Sequence, residues 1–123
     1  MAFYRFVSET YGIYEAVQKA CSSSDPRRKS KPDGSWLQKV GEKYPGALSF
    51  WTEEGVCKYI TSGLYHWHAS ILDQNVVIYR VSEKPGAILY EDPYQIILPY
   101  EPVLECISEK GLCRELNITI NQV

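Results

Sequence analysis

Two hydrophobic rhythms follow one another along this chain, and together they limit the folds open to it. Ile13, Ala16, Val17, Ala20 and Cys21 fall at i, i+3, i+4, i+7 and i+8, a single apolar stripe on a helix. From Asn75 onward the apolar residues come in short β-rich runs instead, "NVVIYRV", "GAILY", "YQIIL" and "VLECI", with turns bearing Pro and Gly between them. "NITI" reads as a further strand at the end of the series. Helices early and consecutive strands late make an α+β chain, with the early helices packed on a mostly antiparallel sheet.

The first half supplies the remaining elements. "AFYRFVS", residues 2–8, is aromatic and β-branched enough for an opening strand before the helical stripe. "SSSDPRRKSKPDGS" is a loop by composition, and Trp36 to Lys43 reads as a short helix stopped by Tyr44-Pro45-Gly46. "ALSFW", residues 47–51, reads as a strand. Thr52 is a natural N-cap for the next helix, with Glu53 and Glu54 near its positive end. Val56, Tyr59 and Ile60 form that helix's buried side, and Gly63 stands where its C-terminal cap belongs. Without repeats or low-complexity tracts, 123 residues make one domain over 1–123.

Composition closes several functional classes. A net charge of −2 is not the basic excess of a nucleic-acid binder. The run Arg27, Arg28, Lys29 and Lys31 lies in a polar loop and reads as solvated. Cys21, Cys57, Cys106 and Cys113 show neither a CxxC pair nor metal-ligand spacing. Cys21 and Cys57 fall on apolar helical faces and read as buried thiols, and all four are expected to be reduced. "MAFYRF" is not a secretory leader, and no run reaches the length of a membrane span. The expected setting is therefore cytoplasmic, or a host cytoplasm into which an effector is delivered. The sequon at Asn117-Ile118-Thr119 reads as chance in that setting. His66 and His68 in "YHWH" lack a third ligand, so no metal is expected; a strand or loop end with both rings partly exposed fits them better. Cys57 on its helical stripe is a poor nucleophile. Neither a Walker loop, a GxGxxG turn nor a Ser-His-Asp spacing is present.

Three polar residues on strands stand out from this background. Arg5 shares a strand face with Phe3 and Val7, so it must reach an edge, pair with a carboxylate or line a cleft. Ser49 shares a face with Ala47 and Trp51 just before a helix N-cap. Gln95 stands alone before Ile96, Ile97 and Leu98; its plain structural reading is a strand-end amide bonded to a neighbouring loop.

In order and spacing these segments resemble the ADP-ribosyltransferases of the arginine-serine-glutamate class. "FYRFVSETYGIYEAV" looks like that family's opening strand and helix, and "ALSFWTEEGVCKYI" is similar to its serine strand running into a helix. "VVIYRVSEKPGAILYEDPYQIILPYEPVLECI" looks like the closing half, with "IILP" matching the ending of the catalytic strand. The resemblance covers roughly residues 3–107. It implies that NAD is the substrate, that Arg5 holds an NAD phosphate, and that Ser49, Phe50 and Tyr90 join it in binding the nucleotide. Ser49-Phe50-Trp51 stands in place of the usual Ser-Thr-Ser. Gln95 occupies the position of the catalytic glutamate, Pro93 that of the acceptor-orienting residue, and the loop Tyr90 to Tyr94 is short. Trp51, Tyr65, Trp67 and Tyr90 are candidate stacking surfaces, with core packing as the alternative.

Cleavage of a nicotinamide–ribose bond builds positive charge on the ribose, as in other oxocarbenium-like transition states. A carboxylate beside that carbon stabilises the charge; a glutamine keeps a hydrogen bond and loses it, at a cost of roughly 2–4 kcal/mol of barrier. Glu91 and Asp92 are the nearest substitutes, and Gln95, Glu91 and Ser49 are the candidate catalytic set. Two functions follow from the resemblance. One is an NAD-dependent ADP-ribosyltransferase or NAD glycohydrolase acting on a protein or small molecule. The other is an inactive domain of the same fold that binds a nucleotide or a protein partner, as an effector or inhibitor.

Overall fold

The computed structural model describes residues 2–83 and 85–119. The opening strand β1 (Phe3–Ser8) turns back through β2 (Tyr11–Gly12) into α1 (Ile13–Ala20). After an irregular stretch come β3 (Leu48–Trp51), α2 (Glu53–Thr61) and α3 (Leu64–Ile71). The second half supplies β4 (Val77–Val81), β5 (Tyr90–Glu91), β6 (Gln95–Leu98), β7 (Glu105–Ile107) and α4 (Glu109–Leu116). The strands lie in the order β5-β6-β3-β1-β4-β7, with β2 attached to β1. Every pairing among the described residues is antiparallel, so the fold is α+β with an open antiparallel sheet. No helix among the described residues is long and apolar enough to cross a membrane.

Alternation along β1 divides the interior in two. Tyr4 and Phe6 face the helices, where Val17, Val56, Tyr59, Leu64 and Tyr65 pack against them. Phe3 points the other way, into a smaller cluster with Phe50, Val81, Ile96 and Leu98. All four residues of β6 are buried, because apolar groups cover both of its faces.

The sheet is unevenly stitched. β1 follows β4 over five residue pairs, Phe3↔Val81 to Val7↔Val77, and β3 follows β6 over four, Leu48↔Leu98 to Trp51↔Gln95. Between β1 and β3 the single register pair is Tyr4↔Trp51. Beyond it the two strands part, and the gap positions the candidate site.

Four local expectations fail. "YHWH" is the first turn and a half of α3, not a strand or loop end. Leu64, Trp67, His68 and Ile71 at i, i+3, i+4 and i+7 turn inward, and His68 is 1% exposed. Gly63, at φ 84°, does end α2 as expected, and α3 starts directly after it. Trp36 to Lys43 is not a helix apart from a single 3-10 turn at Gly41–Lys43. Trp36 is drawn instead onto Trp51 and Tyr94, and Val40 into the core. "GAILY" contributes only Tyr90 to a strand, the two-residue β5 that lies at the edge of the sheet beside β6. "NITI" does not extend the sheet through Thr119; Asn117 caps α4 in the left-handed conformation, and Ile120 lies outside the described residues.

Helix α4 itself escaped the sequence reading. Gly111 weakens its propensity, and Leu112 is its one buried side chain. Tertiary bonds hold it. The Tyr4 hydroxyl donates to the Glu115 carboxylate, which pairs with Arg80 at 2.7 Å, and the Tyr65 hydroxyl donates to Glu109 at 2.9 Å. Cys21, Cys57 and Cys106 carry free thiols, as expected, but only Cys21 is fully buried; Cys57 is half-buried and Cys106 exposed.

Candidate functional site

Where β1 and β3 part, a cleft of about 260 Å³ opens. Arg5, Ser49 and Gln95 all border it, on the adjacent strands β1, β3 and β6. Arg5 projects from the sheet face opposite Tyr4, and the gap lets its guanidinium reach across to donate to the Ser49 carbonyl at 3.1 Å. Its Cζ lies 5.9 Å from the centre of the Phe50 ring. A Cβ added at Gly12 would lie 3.4 Å from its Nη2. Among the described residues no carboxylate forms an ion pair with it. Burial pulls its pKa below the ordinary value, and the more distant Glu101 and Glu15 act in the opposite direction. An arginine stays charged under such a shift. The result is a cation in a cleft with donors to spare, suited to a phosphate or carboxylate.

Gln95 is 7% exposed, and its amide is committed elsewhere. Nε2 donates to the Gln38 carbonyl at 2.8 Å and to Asp92 Oδ2 at 3.1 Å. Asp92 in turn collects the N–H groups of Tyr94 and Gln95 and the Tyr90 hydroxyl. Burial opposes the ionisation of Asp92, but these hydrogen bonds together outweigh it and hold the carboxyl below its ordinary range. Asp92 therefore organises the turn and is not a spare carboxylate for the cleft. The structure thus shows the plain reading of Gln95, a strand-end amide bonded to a neighbouring loop.

The turn is also clamped to α2. Thr52 N–H donates to Tyr94 O at 3.0 Å, Thr52 Oγ1 donates to Pro93 O at 2.6 Å, and the same oxygen accepts from Gly55 N–H at 2.9 Å. Gly55 is required by this approach: a Cβ there would lie 2.0 Å from Tyr94 O.

The other expected site residues divide. Ser49 is exposed in the cleft, and its backbone, through the carbonyl, fixes Arg5. Phe50 lines the cleft although it belongs to the smaller core cluster. Glu91 and Tyr90 do not line it. They sit on β5, the edge strand beyond β6, where Glu91 is exposed opposite Ile96, while the Tyr90 hydroxyl is tied to Asp92. The short loop is thus pinned at its own edge and brings neither residue inward. Tyr65 and Trp67 are core residues, buried beneath the helices. Trp51 does line the cleft, with its ring stacked on Tyr59 at 4.5 Å.

Tyr14, Glu15 and Leu37 also border the cleft, and sequence reasoning missed all three. Glu15 is the one carboxylate in the lining among the described residues. The Tyr14 hydroxyl is buried without a hydrogen-bond partner, and burial pushes its pKa well up. The position of Tyr14 and Glu15 after the β2 turn was the available signal, since a helix starting beside β1 must present its first turn to that strand.

The histidine and cysteine alternatives lose ground. His68 shares a 2.6 Å hydrogen bond with the Tyr59 hydroxyl, and burial, aided by Lys31 and Arg28, pulls its pKa down to about 3. It is a neutral core residue. Burial and then Glu53 and Glu54 raise the pKa of Cys57, the reverse of what a nucleophile needs. Among the described residues no group of three potential ligands is placed to hold a metal ion. No family model, no curated protein and no solved structure matches this chain.

Proposed function

We propose that this chain is an ADP-ribosyltransferase-like domain that binds NAD or a related nucleotide and does not turn it over efficiently. Arg5 carries the reading: it is half-buried, its guanidinium pairs with no described carboxylate, and it faces a cleft walled by aromatic rings. A nucleotide phosphate at Arg5 supplies the missing counter-charge, and Ser49 offers a hydroxyl beside it. The adjacency of the Arg5, Ser49 and Gln95 strands supports the resemblance, because the three residues meet at one opening. Weak turnover follows from Gln95, which brings no charge and has its amide donors engaged.

Calorimetric titration with NAD and ADP-ribose, alongside an assay of nicotinamide release, tests this. Saturable binding with release near background is expected. A folded protein with no affinity for either compound would remove the reading.

Glu15 favours a second reading, an active NAD-dependent transferase or glycohydrolase. It is a carboxylate in the lining of the same cleft, where it would stabilise a cationic ribose. Robust nicotinamide release that disappears in Glu15→Gln would establish turnover.

A further inference from the structure

The segment from Pro32 to Val40 has no regular secondary structure, yet it is held at several points. A Cβ at Gly34 would lie 3.2 Å from Leu64. Trp36 meets Tyr94 edge-on at 5.1 Å and lies 6.0 Å from Trp51. Val40 is buried. Between these anchors Leu37 forms part of the cleft wall, and the exposed Gln38 gives its carbonyl to Gln95. That hydrogen bond joins residues 57 positions apart and is the polar tie between this strap and β6 among the described residues.

We propose that Gln95 is a positioning residue that sets the size of the cleft. Its amide latches the strap so that Leu37 walls the cavity, and the space left encloses one nucleotide unit, so that the second half of a dinucleotide stays outside it and adds little affinity. The 260 Å³ available lies below the roughly 300–1,000 Å³ of sites that enclose a drug-sized ligand. The proposal rests on the nucleotide reading of the cleft. It gives Gln95 a role that needs its two amide protons, which a glutamate at this position would not supply.

Two variants test it, read by calorimetry with AMP and NAD and by hydrogen exchange over residues 36–40. Wild-type protein should bind AMP at least as tightly as NAD. Leu37→Ala trims a half-buried side chain and leaves the latch intact; it should shift selectivity toward NAD by about fivefold or more. Gln95→Met keeps the volume and removes the donors. It should speed exchange across the strap by about tenfold, leave β1 and β4 protected, and shift selectivity the same way. Unchanged strap exchange in folded Gln95→Met overturns the latch. Equal changes for AMP and NAD in Leu37→Ala overturn the wall, and this arm decides the size selection should Gln95→Met fail to fold. If neither nucleotide binds any variant, the nucleotide reading falls and size selection with it, while strap exchange still decides the latch.

Discussion

Arg5 combines partial burial with the lack of a described ion-pair partner, and that combination separates a binding group from a structural one. Arg5→Ala should weaken nucleotide affinity by about 1.5–3 kcal/mol, typical of a hydrogen bond to a charged group, as read by calorimetry. Arg5→Lys should recover only part of this, because a point charge lacks the planar fork. The thermal midpoint of Arg5→Ala should hold or rise, since the half-buried cation has no described ion-pair partner to offset its desolvation fully. Gln95→Glu should act in the opposite sense. The new carboxylate would face the Gln38 carbonyl and the Asp92 carboxylate in place of the two bonds made now. Urea denaturation at pH 7 should show a loss of about 2 kcal/mol, without a gain in nicotinamide release. Two adjacent carboxylates raise one pKa, so the deficit should shrink toward pH 4.

At the scale of elements, the N-terminus of α2 holds the turn that carries Gln95. Thr52 both caps the helix and binds the turn, at Gly55 N–H on one side and Pro93 O on the other. Thr52→Ala should cost about 1–2 kcal/mol, the upper range for a lost N-cap. Gly55→Ala should also destabilise, by about 2 kcal/mol or more, although alanine is the better helix former by about 1 kcal/mol. The Tyr94 carbonyl lies 2.0 Å from the added Cβ and is backbone, so either α2 or the turn must move. Denaturant unfolding gives the cost, and reduced cleft affinity in the folded fraction would show that the turn had moved.

Across the whole molecule, the buried His68 makes stability depend on pH. Its folded-state pKa is about 3 against an ordinary 6.5, because of burial and then the positive charges of Lys31 and Arg28. The unfolded chain takes up a proton below about 6.5, and the native protein does so only near 3. Stability is therefore full above pH 6.5 and falls as the pH drops through that window, by at most about 1.4 kcal/mol per unit. Asp92 acts in the same direction, since a carboxyl held below its ordinary range loses its contribution on acidification. His68→Gln should be less stable at pH 7.5 through the disturbed Tyr59 contact. It should also lose less between pH 7.5 and 4.5 than the wild type, as thermal midpoints at the two values will show.

The sequence by itself determined the elements whose signal is local. The stripe from Ile13 to Cys21, the β-branched run at Val77–Val81 and the cap at Thr52 all lie where periodicity and capping chemistry put them. It also singled out Arg5, Ser49 and Gln95, because a polar side chain in an apolar strand needs a reason visible without coordinates. What those residues do was decided by tertiary structure. The parting of β1 and β3 after one pair makes the cleft, and a register between strands far apart in sequence has no local signature. The roles of Gln95 and Leu37 depend on a strap whose folding follows Trp36 onto Trp51 and Tyr94. The exclusion of Glu91 depends on the side of β6 to which its strand adds. Helix α4 stands on bonds to Tyr4, Tyr65 and Arg80, since its own propensity is too weak to announce it. Local order is encoded in neighbouring residues, whereas a site is assembled from distant ones whose meeting only the packed chain defines.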